Sequence, residues 1–332
     1  MSSLLRRLRR RTTAAATVAV GVAALATGTL IAAGPAAAES SPTAVPCNVV
    51  PIFETDGFGR GHSLQSFRGP IPNQVPFNQR VPAGYAAVPV EYDDGVFPIP
   101  GQLGLDESVP RGEAALTQAV HSYHDRCPGS RIIITGFSEG AVVAGNVINT
   151  LAHSNYMNHG LVKGALYGDP RRPFGNGGRG GVAGGIETNL PTLIPGITMQ
   201  GPNDFGDIAV REVCNENDGI CNSTNLITNA AAFANGIAGY SPLGNAHGYY
   251  IDPVAAVNRG PGLDFYSQNP IIAYGAPLPI PNLGTPWQIQ NLFGPAAGQA
   301  AFHNAIGAAR SLLPQPVIDA LSADPWFRLI NS

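Results

Sequence analysis

Residues 131–153 read RIIITGFSEGAVVAGNVINTLAH. Ile132, Ile133 and Ile134 form a short run of β-branched residues, the pattern of a strand covered on both faces. Gly136-Phe137-Ser138-Glu139-Gly140 follows, after which Ala141, Val143, Val147, Ile148 and Leu151 recur at helical spacing. Strand, tight turn and helix in that order make a nucleophile elbow. Its two glycines let strand and helix backbones approach, and the serine hydroxyl stands exposed at the helix N-terminus. The pentapeptide alone is a weak signal in a chain with 41 Gly among 332 residues, so the flanks carry the reading.

Upstream of this unit, Ala86–Tyr92 reads as a strand. Ser108 caps a helix with Pro110 in its first turn and an apolar stripe of Leu116, Ala119, Val120 and Tyr123, which Cys127-Pro128-Gly129 ends. Asn48–Phe53 is a first strand, followed by the turn Glu54-Thr55-Asp56-Gly57 and a long loop over 57–84. Downstream, Leu161–Tyr167 is another strand, leading into Gly168-Asp169-Pro170. Residues 175–185, GNGGRGGVAGG, read as a flexible surface loop, 197–200 as a short strand, 213–221 as an acidic loop and 224–237 as a helix. Residues 252–286 are a Pro- and Gly-rich connector, and 287–330 return to helical texture. Strands alternating with helices predict a mainly parallel sheet covered on both faces, with right-handed crossovers.

The first 38 residues read as a secretory signal peptide. Five Arg between Arg6 and Arg11, an apolar run to Ala33 and Ala36-Ala37-Ala38 before Glu39 place the cleavage after Ala38; an uncleaved membrane anchor is the competing reading. Residues 39–46 form a short linker. After the cut, 14 basic residues face 22 acidic ones, a formal charge of about −8 that argues against a nucleic-acid partner. Four cysteines in an exported chain imply two disulfides. Three pairings are possible; the close pair Cys214 and Cys221 joins most simply, leaving Cys47 to Cys127. The cysteine spacings fit no metal-ligand pattern, and no cofactor motif is present.

A serine nucleophile needs a histidine base and an acid that fixes the histidine's tautomer. Of seven histidines, His62, His121, His124, His153, His159 and His303 suit solvated or packing roles. His247 follows the last core element in a glycine-flanked loop, downstream of the serine. Two acids compete. Asp169 ends a strand, and its Arg neighbours suggest an ion pair or turn cap; Asp218 lies between Cys214 and Cys221, where a disulfide would fix its direction.

Cys127 precedes Ser138 by eleven residues, and Asp218 lies four after Cys214 and three before Cys221, a spacing that resembles the cutinase family. GFSEGA at 136–141, YGDPRRP at 167–173 and HGYY at 247–250 are similar to the PE-PPE domain of mycobacteria and their relatives, a cutinase-like branch of serine hydrolases. The resemblance covers roughly residues 46–250. It implies a three-layer α/β/α sandwich with a mainly parallel central sheet, an α/β-hydrolase of cutinase-like type, with the hydrolase domain at 47–250 and a C-terminal extension at 251–332. By position, Ser138 is the nucleophile, Asp218 the acid and His247 the base, with the Glu139 N–H and a donor at Thr55, or its neighbour Asp56, forming the oxyanion hole. Glu139 stands where the family commonly has glutamine, and the first turn is less glycine-rich than usual.

The function expected is an exported esterase or lipase-like hydrolase acting on fatty acyl esters and in peripheral contact with the cell envelope. An acyltransferase working on a sugar or glycolipid hydroxyl, and an idle envelope-binding protein, are the alternatives. Trp287, Leu292, Phe293, Leu312, Leu313, Val317, Ile318, Trp326, Phe327 and Ile330 either pack a C-terminal helix on the core or line an acyl groove.

Overall fold

The computed structural model describes residues 44–69, 74–241, 244–278 and 284–310, together with 315, 318, 319 and 322. The signal peptide and most of the linker lie outside the described residues. So do Leu312, Leu313, Val317, Trp326, Phe327 and Ile330.

In chain order the elements are β1 (Val50–Thr55), α1 (Gln65–Arg68), β2 (Tyr85–Pro89), α2 (Leu105–Arg126), β3 (Ile132–Phe137), α3 (Glu139–Ala152) and β4 (Val162–Tyr167). Next come β5 (Gly175–Asn176), β6 (Val182–Gly184), α4 (Ile186–Asn189), β7 (Ala209–Asn215), β8 (Ser223–Thr224), α5 (Ala230–Tyr240), α6 (Pro253–Asn258) and β9 (Gly262–Tyr266). The helices α7 (Pro286–Phe293) and α8 (Pro295–Arg310) follow. Six strands form one sheet in the order β2-β1-β3-β4-β7-β9, every neighbouring pair parallel.

The two-residue period of the strands explains the layers. Phe53, Ile132, Ile134 and Leu166 point into one core with Leu116, Val120 and Tyr123 of α2 and the apolar face of α3. Ile52, Ile133, Ala165 and Val213 point into the other, where α1 supplies Phe67 and α6 supplies Val254 and Val257. The mainly parallel sheet flanked by helices is the expected fold class. The connection from β1 leads to β2 on one side and that from β3 to β4 on the other, so the strand order reverses between β1 and β3. A crevice therefore opens outside the carboxyl ends of β1 and β3, where open parallel sheets bind ligands.

Several boundaries differ from the sequence reading. Helix α2 starts at Leu105, so Ser108 lies inside it, and its hydroxyl donates to Oε1 of Glu139 instead of capping the helix. Helix α5 starts at Ala230 with Asn229 as its cap, while Ser223–Thr224 is a strand. The glycine-rich 175–185 loop folds as β5 and β6, which join β8 in a small antiparallel sheet. Buried Glu216 accepts from the Arg179 N–H at 3.0 Å and ties that segment down. The expected 197–200 strand reduces to one bridge between Ile194 and Ile197.

The larger corrections are two strands. Strand β7 runs through the start of the expected acidic loop, and β9 comes from the stretch read as connector, so the central sheet extends past residue 250. Both carry charges that mask the strand pattern. Glu212 of β7 is buried beside Arg172, while Asp264 of β9 pairs with Arg259 at 2.5 Å and Arg211 at 3.5 Å.

Candidate active site

Ser138 sits at the carboxyl end of β3 with φ 57° and ψ −124°. A non-glycine residue at positive φ costs of order 1–3 kcal/mol, about what an elbow must hold against. The holding is done by backbone: the Ser138 N–H donates to the Tyr167 carbonyl at 2.9 Å, and its own carbonyl accepts from Ala141 N–H at 2.8 Å. A Cβ at Gly136 would run into the Gly140 backbone, and one at Gly140 into the Thr55 carbonyl, so both glycines are steric requirements.

Asp218 and His247 arrive on two return loops. The disulfide Cys214–Cys221 closes the first directly beyond β7, and Cys47–Cys127 ties the chain before β1 to the end of α2; both pairings are the expected ones. Within the closed loop the Asp218 N–H donates to Asn215 O at 3.0 Å, and Asp218 Oδ1 accepts from Ile220 N–H at 3.0 Å. Arg172 reaches in from the β4 side and donates to the Cys221 carbonyl at 2.6 Å. The Asp218 side chain is fully buried. Its Oδ2 lies 2.7 Å from Nδ1 of His247, and Nε2 of His247 lies 2.9 Å from Oγ of Ser138. A carboxylate on Nδ1 holds the proton there, which leaves the Nε2 lone pair facing the serine hydroxyl. Phe137 and Tyr240 flank the imidazole, with ring centroids at 4.9 and 5.2 Å.

The structure thus brings Ser138, Asp218 and His247 together and leaves Asp169 apart. Asp169 is buried under the sheet end, where Oδ1 accepts from Arg171 N–H at 2.8 Å, in keeping with the turn-cap reading. Burial pushes its carboxyl up to about 6, and the adjoining carboxyl of Glu212 is pushed well above its ordinary range for the same reason. The other histidines have outlying partners, such as Asp93 for His62, Asp204 for His153 and Asp207 for His159.

Thr55 is corrected in one respect. Its hydroxyl is turned beneath the elbow, within 2.8 Å of Gly140 O and 3.1 Å of Thr135 O, and so has no direction toward the serine. The first turn approaches Ser138 through Gly57, where a Cβ would lie 2.7 Å from the Ser138 Cβ. Asp56 shapes this turn: its carboxylate accepts from Gly57 N–H and Ser66 N–H, each at 2.7 Å. The N–H groups of Phe58, next after Gly57, and of Glu139, next after Ser138, have no acceptor among the described residues. The first could be found in sequence only by knowing that the turn closes one residue beyond Gly57.

A cleft of about 80 Å³ opens at Ser138, walled by Phe97, Leu105, Val142, Ile186 and Met199, with Phe58 and Tyr240 at its mouth. Two carboxyls interrupt this apolar lining, Glu139 and Glu187; burial raises each to about 7. Oε1 of Glu139 accepts from Gly95 N–H at 3.1 Å as well as from Ser108, bracing the cleft wall from inside. None of the described residues of 286–310 lines the cleft. Trp287 packs behind it, donating from Nε1 to Met199 O at 3.0 Å, and Leu292 and Phe293 are exposed. Of the two roles considered for this segment, its described part takes the packing one, with Trp287, Phe302 and Ile306 against the core. Among the described residues no cluster of His, Cys, Asp or Glu is arranged to hold a metal ion, and no helix is long and apolar enough to cross a membrane.

The Cutinase family model matches residues 77–239, a span that includes Ser138 and Asp218. A carboxylesterase Culp6 homolog of Corynebacterium glutamicum is 37% identical over 123 residues, which is 32% of this chain and 40% of that protein. The chain thus spans about two-fifths of the length of this curated relative. Among solved structures, a cutinase-like protein from Cryptococcus sp. is similar at 18% identity and TM-score 0.34, over 56% of this chain and 82% of that one. An acetylxylan esterase is similar at 17% and TM-score 0.36, over 57% and 90%.

Proposed function

We propose that this chain is an exported, cutinase-like serine hydrolase that cleaves carboxylic esters through an acyl-enzyme on Ser138. The observation that carries the reading is the Ser138–His247–Asp218 relay, with contacts of 2.9 and 2.7 Å at the floor of an apolar cleft. Ser138 Oγ attacks the acyl carbon while Nε2 of His247 takes its proton; the imidazolium, held by Asp218, then delivers that proton to the departing alcohol oxygen. Water repeats the sequence on the acyl-enzyme and releases the acid. The oxyanion formed at each stage would be met by the free N–H groups of Glu139 and Phe58, donors that act where negative charge develops.

The apolar walls argue for an acyl chain of medium length, since each buried methylene contributes about 0.8 kcal/mol. Two disulfides fit an oxidising, extracellular setting and support export. Within the cutinase-like class, GFSEGA, YGDPRRP and HGYY favour the PE-PPE-like branch. Hydrolysis of p-nitrophenyl esters from acetate to dodecanoate tests the reading. The expected result is kcat/KM rising over the first several carbons and vanishing in Ser138→Ala; ester cleavage that survives Ser138→Ala would overturn it.

A further inference from the structure

The acid of the relay has a second donor that the triad does not require. Tyr249, two residues after His247, turns its phenol under the imidazole, and its hydroxyl donates to Oδ2 of Asp218 at 2.5 Å. That is the same oxygen that His247 Nδ1 contacts. The phenolic oxygen in turn accepts from Asn215 N–H at 3.1 Å and lies 3.1 Å from Sγ of Cys221. The ring is buried between Phe137 and Tyr167, at centroid distances of 5.9 and 6.3 Å, and meets His247 edge-on at 6.0 Å. A tyrosine needed only to fill this space could be a phenylalanine. The hydroxyl finds a full set of partners on the one carboxylate that faces the histidine.

We infer that Tyr249 is a positioning residue for the catalytic relay, its hydroxyl fixing the Asp218 carboxylate and sharing its charge with His247. The inference rests on the hydrolase reading of Ser138, His247 and Asp218 and extends it to a fourth side chain. Its chemistry follows from one oxygen serving two donors. Charge drawn toward the phenol is charge not drawn toward the imidazolium, so the hydroxyl weakens the pull of Asp218 on the His247 proton while holding the carboxylate in line.

Burial, then the neighbouring Asp218 charge, push the phenol well above its ordinary range, so it stays a donor throughout the working pH range. The charged and titratable groups around it are few. Asp218 and His247 face it directly. Arg172 approaches from the β4 side, with Asp169 and Glu212 beyond that guanidinium. The disulfide Cys214–Cys221 does not titrate.

The test compares the parent protein, Tyr249→Phe and a protein carrying 3-fluorotyrosine at 249, whose more acidic phenol is a stronger donor. NMR of the His247 imidazole is recorded against pH, which needs no turnover. The imidazole should titrate at higher pH in Tyr249→Phe and at lower pH in the fluorotyrosine protein. The acid limb of kcat/KM should move in the same two directions. In Tyr249→Phe, kcat should fall about tenfold, the worth of one hydrogen bond to a charged group, with KM within about twofold. Coincident titrations in all the folded proteins would overturn the inference and reduce Tyr249 to a space-filler. Should Tyr249→Phe not fold, the fluorotyrosine protein alone decides, by shifting the titration downward or leaving it in place. A parent that cleaves no ester, or whose ester cleavage survives Ser138→Ala, would defeat the hydrolase reading instead, while the NMR titration would still decide whether Tyr249 acts on His247.

Discussion

His247 has Ser138 on one side and Asp218 on the other, and the two sides are built from different materials. On the serine side β3, elbow and α3 fix the hydroxyl through backbone hydrogen bonds, one of them to Tyr167 on the adjoining strand, and two glycines that admit no side chain. On the acid side the carboxylate hangs on a loop whose shape comes from a disulfide, from Arg172 donating to the Cys221 carbonyl, and from Tyr249. The first arrangement is local and tolerates change elsewhere. The second is assembled from residues spread over 172–249, and should fail piece by piece.

The sharpest way to break that contrast is at the two aspartates. Asp218→Asn should lower kcat about ten-thousandfold, the size of the penalty for holding a histidine in the wrong tautomer, while Asp169→Asn stays within a few-fold of the parent. A crippled Asp169→Asn beside an active Asp218→Asn would reverse the acid assignment.

The disulfides sharpen it next. Cys214→Ser with Cys221→Ser releases a loop of sequence separation 7 around the acid, so kcat should fall by about tenfold or more with a modest loss of stability. Cys47→Ser with Cys127→Ser opens a separation of 80, far from the relay, and should lower Tm by roughly 8 °C while leaving kcat in place. Equal effects of the two pairs on kcat would erase the distinction between the regions.

Much of the serine side is readable in the sequence because its signals are consecutive. Three isoleucines, a GxSxG and a helical stripe occupy one stretch, and backbone geometry does the rest. Asp218 and His247 were legible as candidate residues, through the paired cysteines and the glycine-flanked loop. Their support was not, because Arg172 and Tyr249 act through contacts between distant loops. Strands β7 and β9 were hidden for a related reason: Arg211, Glu212 and Asp264 break the apolar alternation, and only the folded chain shows their partners. The direction of the Thr55 hydroxyl, beneath the elbow, is not legible in the sequence, since which group of a turn faces the serine depends on where Asp56 closes it.

The smallest effect concerns the serine side and pH. Burial raises Glu139 and Glu187 to about 7 and Asp169 to about 6 in the folded chain, so folding takes up protons that the unfolded chain has released. The stability these groups contribute is fully present below the ordinary carboxyl range and is lost as pH rises from there through about 7. Thermal melts should therefore fall in Tm between pH 5 and 8. Glu139→Gln, which keeps a hydrogen-bond acceptor for Ser108 and Gly95, should flatten that slope by roughly 3 °C. An unchanged slope would mean that Glu139 ionises freely in the fold.

The most direct measurement of the central claim is intact-protein and peptide mass spectrometry after treatment with a fluorophosphonate, which reports an activated serine whatever the natural substrate. A single adduct on Ser138 is expected, formed rapidly in the parent and slowed by orders of magnitude in His247→Ala. Absence of any adduct in the folded parent, or labelling of Ser138 at an undiminished rate in His247→Ala, would contradict it.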